Sequence, residues 1–240
     1  MPNDHFFVHS TLPEINTPDI LFLPLAAQNI SIIMNITTIL VIITSVISLL
    51  CFNNRILFDA LKHYPYAEAR NRQFYRWITS GFVHGDMIHL LVNMFVFYQF
   101  GGAIERYFIS YFGLVGGGVL YLVTYLLIII MADIRTYYKH INNPYFASVG
   151  ASGGVSGILF IYILLYPWSM LGLYAIIPVP AIIFGALYLW YSTWAAKNQQ
   201  GNIDHDAHFY GAVAGILIAI ITRPAIIAEF ITGLVKDFPL

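Results

Sequence analysis

Six stretches of this 240-residue chain stay apolar for roughly the thickness of a lipid bilayer. A helix needs about 20 mainly apolar residues to cross the hydrocarbon core, where no water can satisfy a stray backbone group. The stretches are 30–52, 81–104, 108–132, 148–166, 173–196 and the shorter 207–222. They are continuous rather than alternating, which excludes a closed β-barrel. Mean hydropathy is +0.73 and charged residues make up 10%, against about 25% in a soluble domain. The expected fold class is an all-α membrane protein, a six-helix bundle over residues 30–222 with the lipid bilayer around it. Residues 1–29 and 223–240 are expected to be tails without a readable motif.

The same composition removes several functions. Net charge is -1, so no basic footprint for nucleic acid exists. Cys51 is alone, so the chain has neither an internal disulfide nor a cysteine metal site. The first 29 residues contain no Lys or Arg, which speaks against a secretory signal or an Arg-rich presequence and fits a bacterial inner membrane. The first loop, 53–76, mixes cations with aromatic rings and is expected to lie in the headgroup layer.

Ionisable groups in spanning segments are costly and usually face a cavity or a partner. His84, His89 and Asn93 lie in the first half of the second segment, Ser152 opens the fourth, and His208 opens the sixth. In a six-helix chain those three starts lie on one side of the bilayer. His89 and Asn93 share a helix face, whereas His84 points elsewhere, toward the entrance or the loop. Gly153 and Gly157 are four apart, as are Ala207, Gly211 and Gly215, a spacing that lets two backbones meet closely in lipid. If those faces meet, Ser152 and His208 come together.

A serine becomes a nucleophile when a neighbouring neutral imidazole takes its proton. The tetrahedral intermediate then needs donors for its oxyanion. Free N–H groups at the start of the fourth helix, with the side chains of His89 and Asn93, could supply them. Gly150 leaves room for a substrate backbone. The candidates are therefore Ser152 and His208 for catalysis, with His89, Asn93, Gly150 and His84 for oxyanion or substrate binding.

These residues resemble the rhomboid intramembrane serine proteases over about 74–216. The likeness rests on His84, His89 and Asn93 in HxxxxHxxxN, on GASG around Ser152, and on AHxxGxxxG with Ala207, His208, Gly211 and Gly215. It implies a six-transmembrane-helix rhomboid-like bundle and a Ser–His dyad without a third acid. Ser152 would be the nucleophile, His208 the base, and His89, Asn93 and the Ser152 N–H the oxyanion hole. The reaction implied is hydrolysis of a peptide bond in or beside a substrate's transmembrane segment, with no cofactor, metal or nucleotide. The implied partners are transmembrane protein substrates, and the fifth helix with its loops would be gate and cap. Arg76, Gly153, Gly157, Gly211 and Gly215 would be structural, Arg76 anchoring the first loop.

Many rhomboids carry an aromatic four residues after the nucleophile, stacked on the catalytic His. Here that position is Ser156, leaving either a Ser156–His208 hydrogen bond or no replacement. A Ser156→Tyr variant is expected to stay active. The resemblance implies cytoplasmic termini, whereas eight of the eleven cations fall on the site-bearing side and charge bias alone would invert the chain. The expectation follows the motifs, which are the more specific signal. Three other readings compete. A metal-dependent enzyme could use Asp204, His205, Asp206 and His208 with His84 and His89, although His205 is expected to be an ordinary surface residue. A client-binding relative would lack the nucleophile or the base. A transporter would show an inverted repeat.

Overall fold

A computed structural model describes residues 35–173, 177–198 and 203–238. The tail 1–29 and the first residues of the 30–52 segment lie outside the described residues. Six helices of 14 residues or longer build the described fold. Four of them are long and apolar enough to cross a membrane, and the protein is an integral membrane protein.

Helix α1 (Ile36–Asn53) starts at Asn35, whose side chain accepts the Thr38 N–H. A second acceptor comes from far along the chain. The buried Glu105 carboxylate takes the Ile36 and Thr37 N–H groups and the Thr37 hydroxyl at 2.7–2.9 Å. Helix starts favour negative charge and need acceptors for their free N–H groups. One carboxylate therefore both caps α1 and docks it.

The first loop is not an irregular tether. It folds into α2 (Arg55–Leu61), α3 (Pro65–Asn71, with Pro at its first position), α4 (Arg76–Thr79) and a 3₁₀ turn at Ser80–Phe82. Arg76 is buried and donates to the Asp59 and Lys62 carbonyls at 2.7 and 2.9 Å. Glu68, fully buried, accepts from the Tyr64 N–H and Trp77 Nε1 and pairs with His63 Nδ1. His63 also exchanges backbone hydrogen bonds with Ser148, which ties the loop to the segment ahead of Ser152.

Helix α5 (Met87–Phe112) runs past the expected end at 104, because nothing breaks it until Gly113, at φ 76. Helix α6 (Leu114–His140) then turns back so closely that a Cβ on Gly117 would lie 2.5 Å from the Ile109 backbone. Helix α7 (Ser152–Leu165) begins four residues later than the apolar run, since Gly150 at φ 127 is incompatible with a right-handed helix. Antiparallel strands β1 (Met170–Leu173) and β2 (Ile177–Pro180) follow, and only then α8 (Ala181–Asn198). The expected start at 173 fails because Pro178 and Pro180 cannot sit inside a helix. Helix α9 (His205–Thr222) comes next, and α10 (Ile226–Lys236) occupies the stretch expected to be a plain tail.

Helix α7 is the centre. Ten of its 14 residues are buried, on all sides. At 1.5 Å per residue it is about 21 Å long, less than the roughly 30 Å of a hydrocarbon core. It is the shortest of the six long helices, and Ser152 is its first residue.

Candidate active site

Ser152 is held in place by what precedes it. The Gly150 N–H donates to the Ser80 carbonyl at 3.1 Å. The Ala151 N–H donates to His84 Nε2 at 3.3 Å. A ring nitrogen that accepts is unprotonated, so the proton of neutral His84 lies on Nδ1, facing Ser48 Oγ at 3.0 Å. The Ser48 hydroxyl in turn donates to the Phe82 carbonyl at 3.0 Å. Both His84 nitrogens are thus engaged with the protein, and the ring is fully buried. Of the residues expected at the site, His84 is the one that does not line the cavity described below. Its ring lies behind the site and fixes the peptide just before Ser152.

No side chain caps α7. The N–H groups of its first turn therefore remain available around Ser152. Asp86, by contrast, caps α5 by accepting the His89 N–H at 2.8 Å, so His89 sits in the first turn of α5. The ring of His89 lies over Gly150: a Cβ there would fall 2.7 Å from His89 Cε1 and 3.8 Å from Ser152 Oγ. Asn93, one turn on, donates to the His89 carbonyl at 2.9 Å.

The two small-residue faces meet. A Cβ on Gly157 would lie 2.8 Å from the Gly211 carbonyl oxygen, and a Cβ on Gly211 or Gly215 would collide with the carbonyl of Gly153 or Gly157. A Cβ on Gly153 would lie 3.4 Å from the Ala207 carbonyl, so the residues flanking Ser152 and His208 are in backbone contact. Ser152, His208, His89, Asn93 and Gly150 all line one cavity of about 710 Å³. The His208 ring makes two contacts with neighbouring rings. Tyr188 of α8 stacks on it at 6.0 Å and 21°, and His205 meets it edge-on at 5.7 Å.

Tyr188 is the residue that sequence reasoning missed. Ser156 does not face His208: its hydroxyl meets Tyr188 Oη at 2.5 Å and donates to the Ser152 carbonyl at 2.7 Å. The expectation for Ser156→Tyr changes accordingly, because Tyr188 already fills the space beside residue 156. A signal existed. Ala181, Gly185, Tyr188, Ser192 and Ala195 recur at steps of four and three along α8, marking an inward stripe with one large ring in it.

The acid–imidazole cluster is engaged in structure. Asp204 caps α9 through the Ala207 N–H and accepts from Thr136, and Asp206 pairs with Lys139 at 2.5 Å. His205, expected at the surface, is 5% exposed, packed between Tyr191 and His208. It adjoins the capped start of α9, whose first turn faces inward.

The Rhomboid domain model matches residues 71–225, and the chain belongs to the rhomboid family. It is 33% identical over 155 residues to RHOMBOID-like protein 12, mitochondrial, of Arabidopsis thaliana, covering 61% of this chain and 46% of that one. It is 33% identical over 100 residues to Rhomboid protease GlpG of Haemophilus influenzae, covering 41% and 45%. Against Rhomboid protease GlpG of an Enterobacter species it is 26% identical over 166 residues, covering 65% and 51%. The chain thus spans about half the length of these relatives.

Proposed function

We propose that this protein is an intramembrane serine endopeptidase acting on transmembrane protein substrates through a Ser152–His208 dyad. The observation that carries the reading is the convergence of Ser152, His208, His89 and Asn93 on one cavity at the uncapped start of a short, buried helix. Family membership and the printed names of the GlpG relatives support it.

In this reading His208 takes the proton of Ser152 Oγ as that oxygen attacks the scissile carbonyl carbon. The oxyanion is met by first-turn N–H groups of α7, with His89 and Asn93 beside them. His208 then protonates the leaving amine as the C–N bond breaks, which leaves an ester on Ser152. A water molecule gives His208 its proton while attacking the ester carbonyl, and the proton returns to Oγ as the acid leaves. The catalytic domain is residues 30–222, a bundle of six transmembrane helices made by α1, α5, α6, α7, α8 and α9, with the first loop at the interface. The termini face the cytoplasm.

The test is cleavage of a reporter transmembrane segment by purified protein in liposomes. Wild type should cleave with or without chelator. Ser152→Ala and His208→Ala should each lose about 10³-fold or more. Cleavage that survives Ser152→Ala would overturn the dyad, and cleavage lost to chelator would point to a metal enzyme.

A further inference from the structure

The ring behind His208 comes from a different helix than Ser152, and two hydrogen bonds link it to Ser152. The Tyr188 and His208 rings are nearly parallel, 21° apart, with centroids at 6.0 Å, inside the range of offset aromatic stacking. Tyr188 Oη lies 2.5 Å from Ser156 Oγ, and Ser156 Oγ lies 2.7 Å from the Ser152 carbonyl oxygen. A carbonyl only accepts, and a serine hydroxyl carries one proton. Ser156 therefore donates to Ser152, and Tyr188 donates to Ser156. The polar atoms along this path satisfy one another, and the Tyr188 ring is further fixed by Phe184 and Phe160, with centroids at 6.0 and 5.9 Å.

A dyad histidine has no carboxylate to fix its ring plane, so something else must hold it at the angle that serves the serine. Small errors of placement are costly, since a misplacement of about 1 Å lowers a rate by about 10²-fold. We infer that Tyr188 is the positioning residue for His208, supplied by α8 and oriented through Ser156 against the backbone of Ser152. The inference rests on the Ser152–His208 reading. Tyr188 touches no reacting atom; it acts on the base. Its ring and the small side chain at 156 form a matched pair, since a second large ring at 156 would occupy the same space.

The experiment measures kcat and KM for a reporter transmembrane segment with the full chain in liposomes. The proteins are wild type, Ser152→Ala, Tyr188→Phe, Tyr188→Leu and the double variant Tyr188→Ala with Ser156→Tyr, with Tyr188→Ala alone for comparison. Tyr188→Leu should lower kcat by about 10²-fold while KM stays within about threefold. Tyr188→Phe keeps the ring and should stay within about tenfold of wild type. The double variant returns a ring to the site from α7 and should exceed Tyr188→Ala in kcat. Wild-type kcat in Tyr188→Leu, or a loss carried by KM alone, overturns the inference if Ser152→Ala is inactive. Cleavage by Ser152→Ala overturns the dyad reading instead. If Tyr188→Leu does not fold, the double variant decides: kcat above that of Tyr188→Ala supports the ring, and no gain in a folded protein overturns the inference.

Discussion

At the scale of single residues, chemistry and position had to agree before a role could be assigned. The nearness of Ser152 and His208 was legible because each adjoins a stripe of small residues, and the stripes do meet at Gly153 and Gly211. His84 was expected at the site, and its two nitrogens meet the Ala151 N–H and the Ser48 hydroxyl. Nothing in a sequence tells which way a ring faces across 67 residues of chain. Gly150 is the position most exposed to test. At φ 127 an alanine is strained, and its methyl would press on His89 at 2.7 Å. Gly150→Ala should cleave a reporter segment about 10²-fold more slowly in liposomes, while its circular dichroism spectrum keeps the wild-type helix content.

At the scale of elements, the apolar runs located the helices and local breakers decided where they begin. The fourth helix was expected from 148 and starts at 152, because a positive φ at Gly150 precedes it. The fifth was expected from 173 and starts at 181. Met170–Leu173 and Ile177–Pro180 are apolar enough to pass for helix, and only the two prolines hinted at a hairpin. Helix α10 lay hidden in the tail because its exposed apolar stripe, Ile227, Ile231 and Val235, is short, and because Arg223, which pairs with Glu229 on it, is tied to Tyr107 far back along the chain. The docking of α1 by Glu105 was equally unreadable, since donor and acceptor are 68 residues apart. Removing that carboxylate leaves three donors without it. Glu105→Ala should cost about 3 kcal/mol of stability, measured by thermal unfolding in detergent, and Glu105→Gln should cost less because its amide oxygen still accepts.

At the scale of the whole molecule, the first loop and the helical bundle are joined through a buried cluster of charge. Burial opposes a charged His63, but Asp133 and then Glu68, with Asp204 beyond them, outweigh it and raise the ring's pKa above the ordinary imidazole value. A group whose pKa is raised on folding stabilises the fold fully below its unfolded value, about 6.5, and loses that contribution as pH rises through the folded value. The thermal midpoint of the wild type should therefore fall from pH 6 upward across that window. His63→Gln, which cannot titrate, should lack this component of the fall. The same loop reaches the site through the Ser148 and Gly150 hydrogen bonds, so loosening it should slow cleavage before the bundle melts.

Helix α8 presents Ile183, Leu187, Trp190, Tyr191 and Trp194 outward and buries only Ala181, Gly185, Ser192 and Ala195. Few contacts hold it, yet it carries the ring that backs His208. A swing of this helix large enough to admit a bulky guest would stretch the Tyr188–Ser156 hydrogen bond beyond its range and take the ring away from the base. If His208 is the base and Tyr188 positions it, such a swing would also suspend the chemistry until the helix returned. On that reading the wall of the chamber would double as its interlock, and a guest that held the helix ajar would go uncut.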